Sequence, residues 1–212
     1  RNKVEDLSPL SGMKSLNQLW LSRNPGIIDY SPIRNLYSGL SDKDFDIDQA
    51  QSVAERLHSV VKKVIRPDMS DLEKERAVHD YIVAHTRYDQ ENYARNSIPK
   101  EDYTSYGILV NGTGVCEGYT ETFQMFMDYL DIECRIVTGQ VKNPYGSLEN
   151  HAWNIVRIGD RYYHVDVTWD DPVPDSGNRV KYDYFNLTDE QIGKDHIWDK
   201  AAYPECSITN KE

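Results

Sequence analysis

Two hydrophobic periods divide this chain, and the point where one gives way to the other sets its organisation. Ala50, Val53, Leu57, Val60, Val61 and Val64 recur as one face of a helix that stops before Pro67. A second helix opens at Ser70, where Glu73 completes a capping box, and runs through Leu72, Val78, Ile82 and Val83 towards Tyr88. The polar stretch 89–112, holding Pro99, Gly107 and Gly112, reads mostly as loop. A third helix starts near Cys116 and carries Tyr119, Phe123, Phe126, Met127 and Leu130 along one side. Beyond it the apolar period falls to two, predicting strands over about 134–141, 151–158 and 161–169, with a type II′ turn at Gly159-Asp160. Helices followed by antiparallel strands make an α+β domain.

The first forty residues follow a different rule. Asp6-Leu7-Ser8-Pro9-Leu10 returns as Asp29-Tyr30-Ser31-Pro32-Ile33, and between them Leu16, Leu19, Leu21 and Asn24 fill the L-x-x-L-x-L-x-x-N template of a leucine-rich repeat. Such units need about three stacked copies for stability, and fewer than two stand here. The chain is therefore expected to be a piece of a longer protein, from which a leader could have been cut away. The acidic stretch 42–48 marks a boundary, giving residues 1–45 as the end of a repeat solenoid and 46–212 as a second domain.

Composition narrows the partners. The 212 residues suffice for a full core without disulfides or metals, and no apolar run approaches the roughly 18 residues of a membrane span. Lys and Arg number 24 against 35 Asp and Glu, a net charge of −11 with no basic stripe, so nucleic acid is not an expected partner. Fifteen tyrosines, twelve of them from Tyr81 to Tyr184, either line a groove for an extended peptide or serve as half-buried packing. Cys116, Cys134 and Cys206 are odd in number and contain no C-x-x-C pair, so neither a disulfide framework nor a structural zinc is expected, and no cofactor is implied.

Cys116 stands out by position. It opens its helix and shares the side of the apolar stripe, so it points towards the strands. The unpaired N–H groups of a helix start favour thiolate and can receive an oxyanion. Gly114 would let a substrate backbone come close. Cys116 can equally be a small buried hydrophobe, and a nearby base is what distinguishes the two.

The hairpin supplies that base. A turn centred on Gly159-Asp160 sets His151 opposite Thr168 and Trp153 opposite Asp166, all on one face, with Asp166 the diagonal neighbour of His151. A turn shifted by one residue at both ends sets His151 and Asp166 directly opposite. His164 shares the parity of Asp166, so the base is His151 or His164. His58, His79 and His85 lie on helices without ligand spacing, and His196 stands in a polar tail. Asp170 and Asp171 read as a solvated turn in preference to a calcium site.

Four stretches in order, YGILVNGTGVCEGYTETF, NHAWNIV, RYYHVDVTWDD and KYDYFNLTDEQIGKDHIW, resemble the bacterial transglutaminase-like domains. These belong to a papain-like superfamily that also includes animal transglutaminases, peptide N-glycanases and kyphoscoliosis-type peptidases. The resemblance covers about residues 50–200. It implies a papain-like α+β core, with Cys116 as nucleophile, His151 as base in preference to His164, and Asp166 as its orienting carboxylate. The implied chemistry is acyl transfer or hydrolysis on protein or peptide amides: a protease, deamidase or cross-linking enzyme without a metal. The cysteine pairs of the N-glycanases and the calcium pattern of the animal enzymes are missing. A further oxyanion donor is unassigned, Tyr106 and Asn111 being candidates. Repeats ahead of such a domain resemble secreted or cell-surface proteins of Gram-positive bacteria, acting as monomers on a protein substrate, the repeats binding a cell-surface or host protein. The competing reading is a silent scaffold whose repeats recognise a surface ligand.

Overall fold

The structure, a computed structural model, describes residues 3–142, 146–173 and 180–207. It divides into two compact units, residues 1–63 and 64–212.

In the first unit, short 3-10 turns at Ser8–Leu10 and Ser31–Ile33 are followed respectively by strand β1 (Gln18–Leu19) and by helix α1 (Arg34–Tyr37) with strand β2 (Asp42–Lys43). β1 and β2 pair in parallel, Gln18 against Asp42. The two copies of the sequence motif thus lie side by side in equivalent conformations. Helix α2 (Ile47–Val64) adds Ile47 and Ala54 to a core of Leu7, Leu21, Ile27, Tyr30 and Ile33. Buried Asn24 donates to the carbonyls of Leu21 and Ser22 and accepts from the Val4 N–H, so its amide replaces backbone partners the bend leaves unpaired.

The second unit opens with helix α3 (Asp71–His85), whose Ser70/Glu73 capping box forms as expected. The helix ends sooner than its pattern suggests, and Arg87–Tyr88 becomes strand β3. The stretch read as loop contains helix α4 (Gln90–Ala94), a 3-10 turn (Lys100–Tyr103) and a π-helical turn (Gly107–Asn111), followed by strand β4 (Thr113–Gly114), which pairs with β3. Local side-chain hydrogen bonds make these turns, among them Asp89 Oδ1 capping α4, and such bonds leave no hydrophobic period. Helix α5 (Cys116–Tyr129) buries Tyr119, Phe123, Phe126 and Met127 as predicted.

Strands β5 (Cys134–Lys142), β6 (Leu148–Ile158), β7 (Arg161–Val165) and β8 (His196–Ile197) form one antiparallel sheet in the order β7-β6-β5-β8. Helices α6 (Val167–Asp170) and α7 (Asp189–Ile192) flank it in sequence. Ile158 pairs with Arg161 across the turn, and Gly159 takes φ +64° while Asp160 stays out of the left-handed region, which is the type II′ pattern. The hairpin thus adopts the first of the two registers weighed. α5 covers the face of β6 that carries Asn154, whose amide donates to the Thr120 carbonyl. Trp153 and Ile155 point the other way, into a second core with Val137, Ile192 and Cys206. Helices on an antiparallel sheet give the papain-like α+β architecture. Among the described residues, no helix is long and apolar enough to cross a membrane.

Candidate active site

The start of α5 is fixed from both sides. The Val115 N–H donates to the Asp102 carbonyl at 2.9 Å, and Thr120 Oγ1 reaches both the Cys116 carbonyl at 2.6 Å and the Ala152 carbonyl at 3.1 Å. That threonine ties the first helical turn to β6 beside His151. Gly114 does not face a substrate. It is buried, and a Cβ there would run into the Ile108 side chain and the Asp102 carbonyl.

Cys116 is half-buried, and its thiol donates to Glu117 Oε2 at 3.1 Å. Burial pushes the thiol up, the Glu117 carboxylate adds to this, and Asp166 acts in the same sense; only the Ala152 N–H opposes them. The expectation of a thiolate from the helix start alone is therefore corrected. Burial first and the Glu117 carboxylate next work against the thiolate that the helix start favours.

His151 and Asp166 meet. Nε2 of the buried His151 lies 2.6 Å from Asp166 Oδ2, although the strand geometry that predicted this contact is only partly present. β7 ends at Val165 instead of running to 169, so Thr168 is not a strand partner of His151. Asp166 ends the strand itself: its Oδ1 accepts the N–H groups of Thr168 and Trp169 and caps the single turn of α6. One carboxylate thus stops a strand, starts a helix and holds an imidazole. Burial alone would raise its pKa, but the charges and hydrogen bonds of His151 and His196 outweigh that and hold it well below the usual carboxylate range.

The structure separates the two rival histidines. His164 is fully buried; its Nδ1 accepts from Trp153 Nε1 at 2.9 Å and its Nε2 faces Asp189 Oδ1 at 2.8 Å. Both ring nitrogens are committed, and the ring is a polar strut of the second core. Cys206 lies beside this pair, so His164, Asp189 and Cys206 offer three atoms spaced for a metal ion. The Trp153 N–H settles the tautomer: it needs a lone pair on Nδ1, which puts the proton on Nε2, pointing at Asp189 where a metal would need a lone pair.

Two expectations about the remaining polar residues are corrected, those for His196 and for the pair Asp170 and Asp171. His196 is not in a polar tail; it is buried on β8 with Nε2 3.0 Å from Asp166 Oδ2 and Nδ1 2.6 Å from Asp195 Oδ1. His79 is buried between Asp80 and Asp170. Asp170 and Asp171 are likewise buried, Asp171 accepting from the Tyr119 hydroxyl and Asp170 from the Tyr184 N–H, so they form no solvated turn. Periodicity misses such residues because a polar side chain can satisfy a core partner distant in sequence. His196 did lie within the DHIW stretch of the last quoted motif. Tyr106 is half-buried ahead of the π-helical turn, and Asn111 ends that turn exposed to solvent. The tyrosines divide between roles: Tyr119 is a core residue, Tyr182 stacks on His79, and Tyr88 and Tyr93 lie 5.9 Å apart, with Cys116 and Glu117 acting electrostatically on both.

A sequence model of the transglutaminase-like superfamily matches residues 58–167, just over half of the chain. The chain belongs to the transglutaminase-like superfamily. Its similarity to the kyphoscoliosis peptidase of Mus musculus is 28% identity over 125 residues, 56% of this chain and 19% of that protein. For the Homo sapiens counterpart it is 27% over 120 residues, 53% and 18% respectively. The chain thus matches about a fifth of these relatives' length. A crystal structure of a TGase is similar with a TM-score of 0.46 and 19% identity, over 66% of this chain and 37% of that one. In this transglutaminase-like chain the matched stretch contains Cys116, His151 and Asp166.

Proposed function

We propose that the protein is a cysteine-dependent acyl transferase or hydrolase acting on protein or peptide amides, with Cys116 as nucleophile, His151 as base and Asp166 as its orienting carboxylate. The observation that carries this reading is the buried 2.6 Å pair of His151 and Asp166, beside the residue to which the first turn of the Cys116 helix is tied. With Nε2 turned to Asp166, Nδ1 is the ring nitrogen left for the thiol. His151 takes the thiol proton as Sγ attacks the carbonyl carbon, then returns it to the departing nitrogen as the C–N bond breaks. The thioester is resolved by water or by an amine, whose proton passes to His151 and back to Sγ. The N–H groups at the start of α5 would receive the oxyanion.

The test is turnover of a panel of glutaminyl and peptide amides, with and without an added amine, by wild type, Cys116→Ala and His151→Ala. Release of ammonia or a shortened peptide that vanishes in both variants supports the proposal; turnover equal in all three refutes it. One observation favours a silent scaffold: the Cys116 thiol donates its hydrogen bond to Glu117. If neither turnover nor His151-dependent alkylation of Cys116 is found, the scaffold becomes the better reading.

We further propose that residues 3–45 are the end of a leucine-rich repeat array. The parallel pairing of Gln18 with Asp42 and the matching 3-10 turns support this. One more unit of the same length and leucine spacing, inserted after Leu40, should fold in register and raise the midpoint of urea unfolding; loss of cooperative unfolding would reject the repeat.

A further inference from the structure

His196 shares Asp166 with His151 and meets a second carboxylate on its other ring nitrogen. Its Nδ1 lies 2.6 Å from Asp195 Oδ1, its Nε2 lies 3.0 Å from Asp166 Oδ2, and the ring is 1% exposed. A neutral imidazole carries one N–H and one lone pair, and a lone pair facing a buried carboxylate is repelled. Two carboxylate contacts therefore require a proton on each nitrogen, and the ring is an imidazolium. Asp195 is itself fixed, since its Oδ2 accepts from the Tyr184 hydroxyl at 2.7 Å. The continuous chain is Tyr184, Asp195, His196, Asp166 and His151.

The charges of this chain have a consequence for His151. Asp166, fully buried, and Asp195, with its side chain 31% exposed, together carry two negative charges beside His196. A carboxylate in contact with an imidazole favours its charged form, and a charged ring cannot accept a proton from the thiol. The positive ring of His196, 5.7 Å from that of His151, cancels one of the two negative charges. We propose that His196 is a permanently protonated positioning residue that keeps His151 poised as a base by neutralising one carboxylate of the pair Asp166 and Asp195. This rests on the reading of His151 as base but makes a claim about protonation that can be tested separately. The groups facing His196 agree with it. β6 contributes His151 and the Trp153 ring; Asp166 and the Trp169 ring come from the strand end and α6; the preceding segment brings Asp195 and Tyr184; and His164 on β7 feels His196 as a like charge. Burial pulls the His196 pKa down, and the contacts with Asp166 and Asp195 more than restore it, for a net rise.

The experiment is an NMR titration of histidine ring nitrogens, paired with the pH profile of Cys116 alkylation by iodoacetamide. In wild type, both ring nitrogens of His196 should stay protonated from pH 5 to pH 8. His196→Gln keeps a donor for Asp166 and removes the charge; the His151 titration and both limbs of the alkylation profile should then move up by roughly one pH unit. Asp195→Asn leaves the contacts with Asp166 intact and should bring the His196 titration down into the neutral range. The inference is overturned if wild-type His196 loses a ring proton below pH 7, or if the His151 titration is unchanged in folded His196→Gln. The NMR arm needs no turnover. Alkylation of Cys116 indifferent to His151→Ala would refute the catalytic reading while the protonation of His196 was judged on its own.

Discussion

The sheet carries two clusters built from the same three residue types. In one, His151 meets Asp166 beside the start of the Cys116 helix; in the other stand Cys206, His164 and Asp189, with Trp153 between the two histidines. Both imidazoles touch a carboxylate, and both clusters include a reduced cysteine. They differ in what surrounds them. Cys116 opens a helix of fourteen residues and is partly exposed, whereas Cys206 is fully buried, with its pKa pushed up to about 12 by burial first and Asp189 next. The Trp153 N–H occupies the second nitrogen of His164, while His151 meets Trp153 only by stacking. Residue types alone do not make a reactive site; an uncommitted ring nitrogen and access to solvent do.

The largest test of this contrast is turnover. Cys116→Ala should abolish amide turnover, and His151→Ala should lower it by about 10²- to 10⁴-fold, while Cys206→Ala stays within about twofold of wild type in initial-rate assays. Native alkylation read by peptide mapping is the next test. Cys116 should label at least about tenfold faster than Cys134 or Cys206, both of which are buried. Equal labelling of all three would erase the distinction.

Stability should show the reverse order. His164→Ala strands a buried indole N–H and removes the partner of Asp189, so it should cost about 2–4 kcal/mol in urea unfolding. His151→Ala leaves Asp166 its His196 contact and the backbone bonds of its cap, and should cost about half as much. A His151 variant less stable than the His164 variant would contradict the assignment of strut and base.

The smallest effect is a difference in pH slope. The His164 pKa is lowered, by burial before anything else, so its contribution is full above the unfolded pKa of about 6.5 and lost as pH falls through the folded value. The His196 pKa is raised, so its contribution is full below about 6.5 and lost as pH rises through the folded value. Unfolding free energies at pH 5 to 8 should therefore show the cost of His164→Ala growing with pH and that of His196→Gln shrinking. Each slope is bounded at about 1.4 kcal/mol per pH unit.

The contrast also explains what could be read from the chain. α5, the three long strands and the hairpin register were legible because apolar residues there face a core at a fixed period, and a one-residue slip would expose them. The proximity of His151 and Asp166 followed from strand parity, although the strand stops at Val165. What parity lacked was Asp166 capping a helix and taking a second imidazole from thirty residues away. His196, Asp170 and Asp171 looked like surface residues because each is satisfied by a partner that no local pattern announces. The contact between the Cys116 thiol and Glu117 escaped notice for a related reason. The helix start was visible at Cys116, but the rotamer that brings Glu117 onto Sγ was not.

Gly139 lies opposite His151 in the sheet, and a side chain there would collide with the Trp153 ring and the Ile197 carbonyl. The bare backbone at that position leaves the seat into which β8 settles with His196. Cys116, His151 and Asp166 all leave the ribosome before that strand does. At about 5–20 residues per second, the thirty residues between Asp166 and His196 correspond to a delay of seconds. The nascent chain therefore carries Cys116, His151 and Asp166 ahead of His196, and the second imidazole contact of Asp166 waits for the arrival of β8.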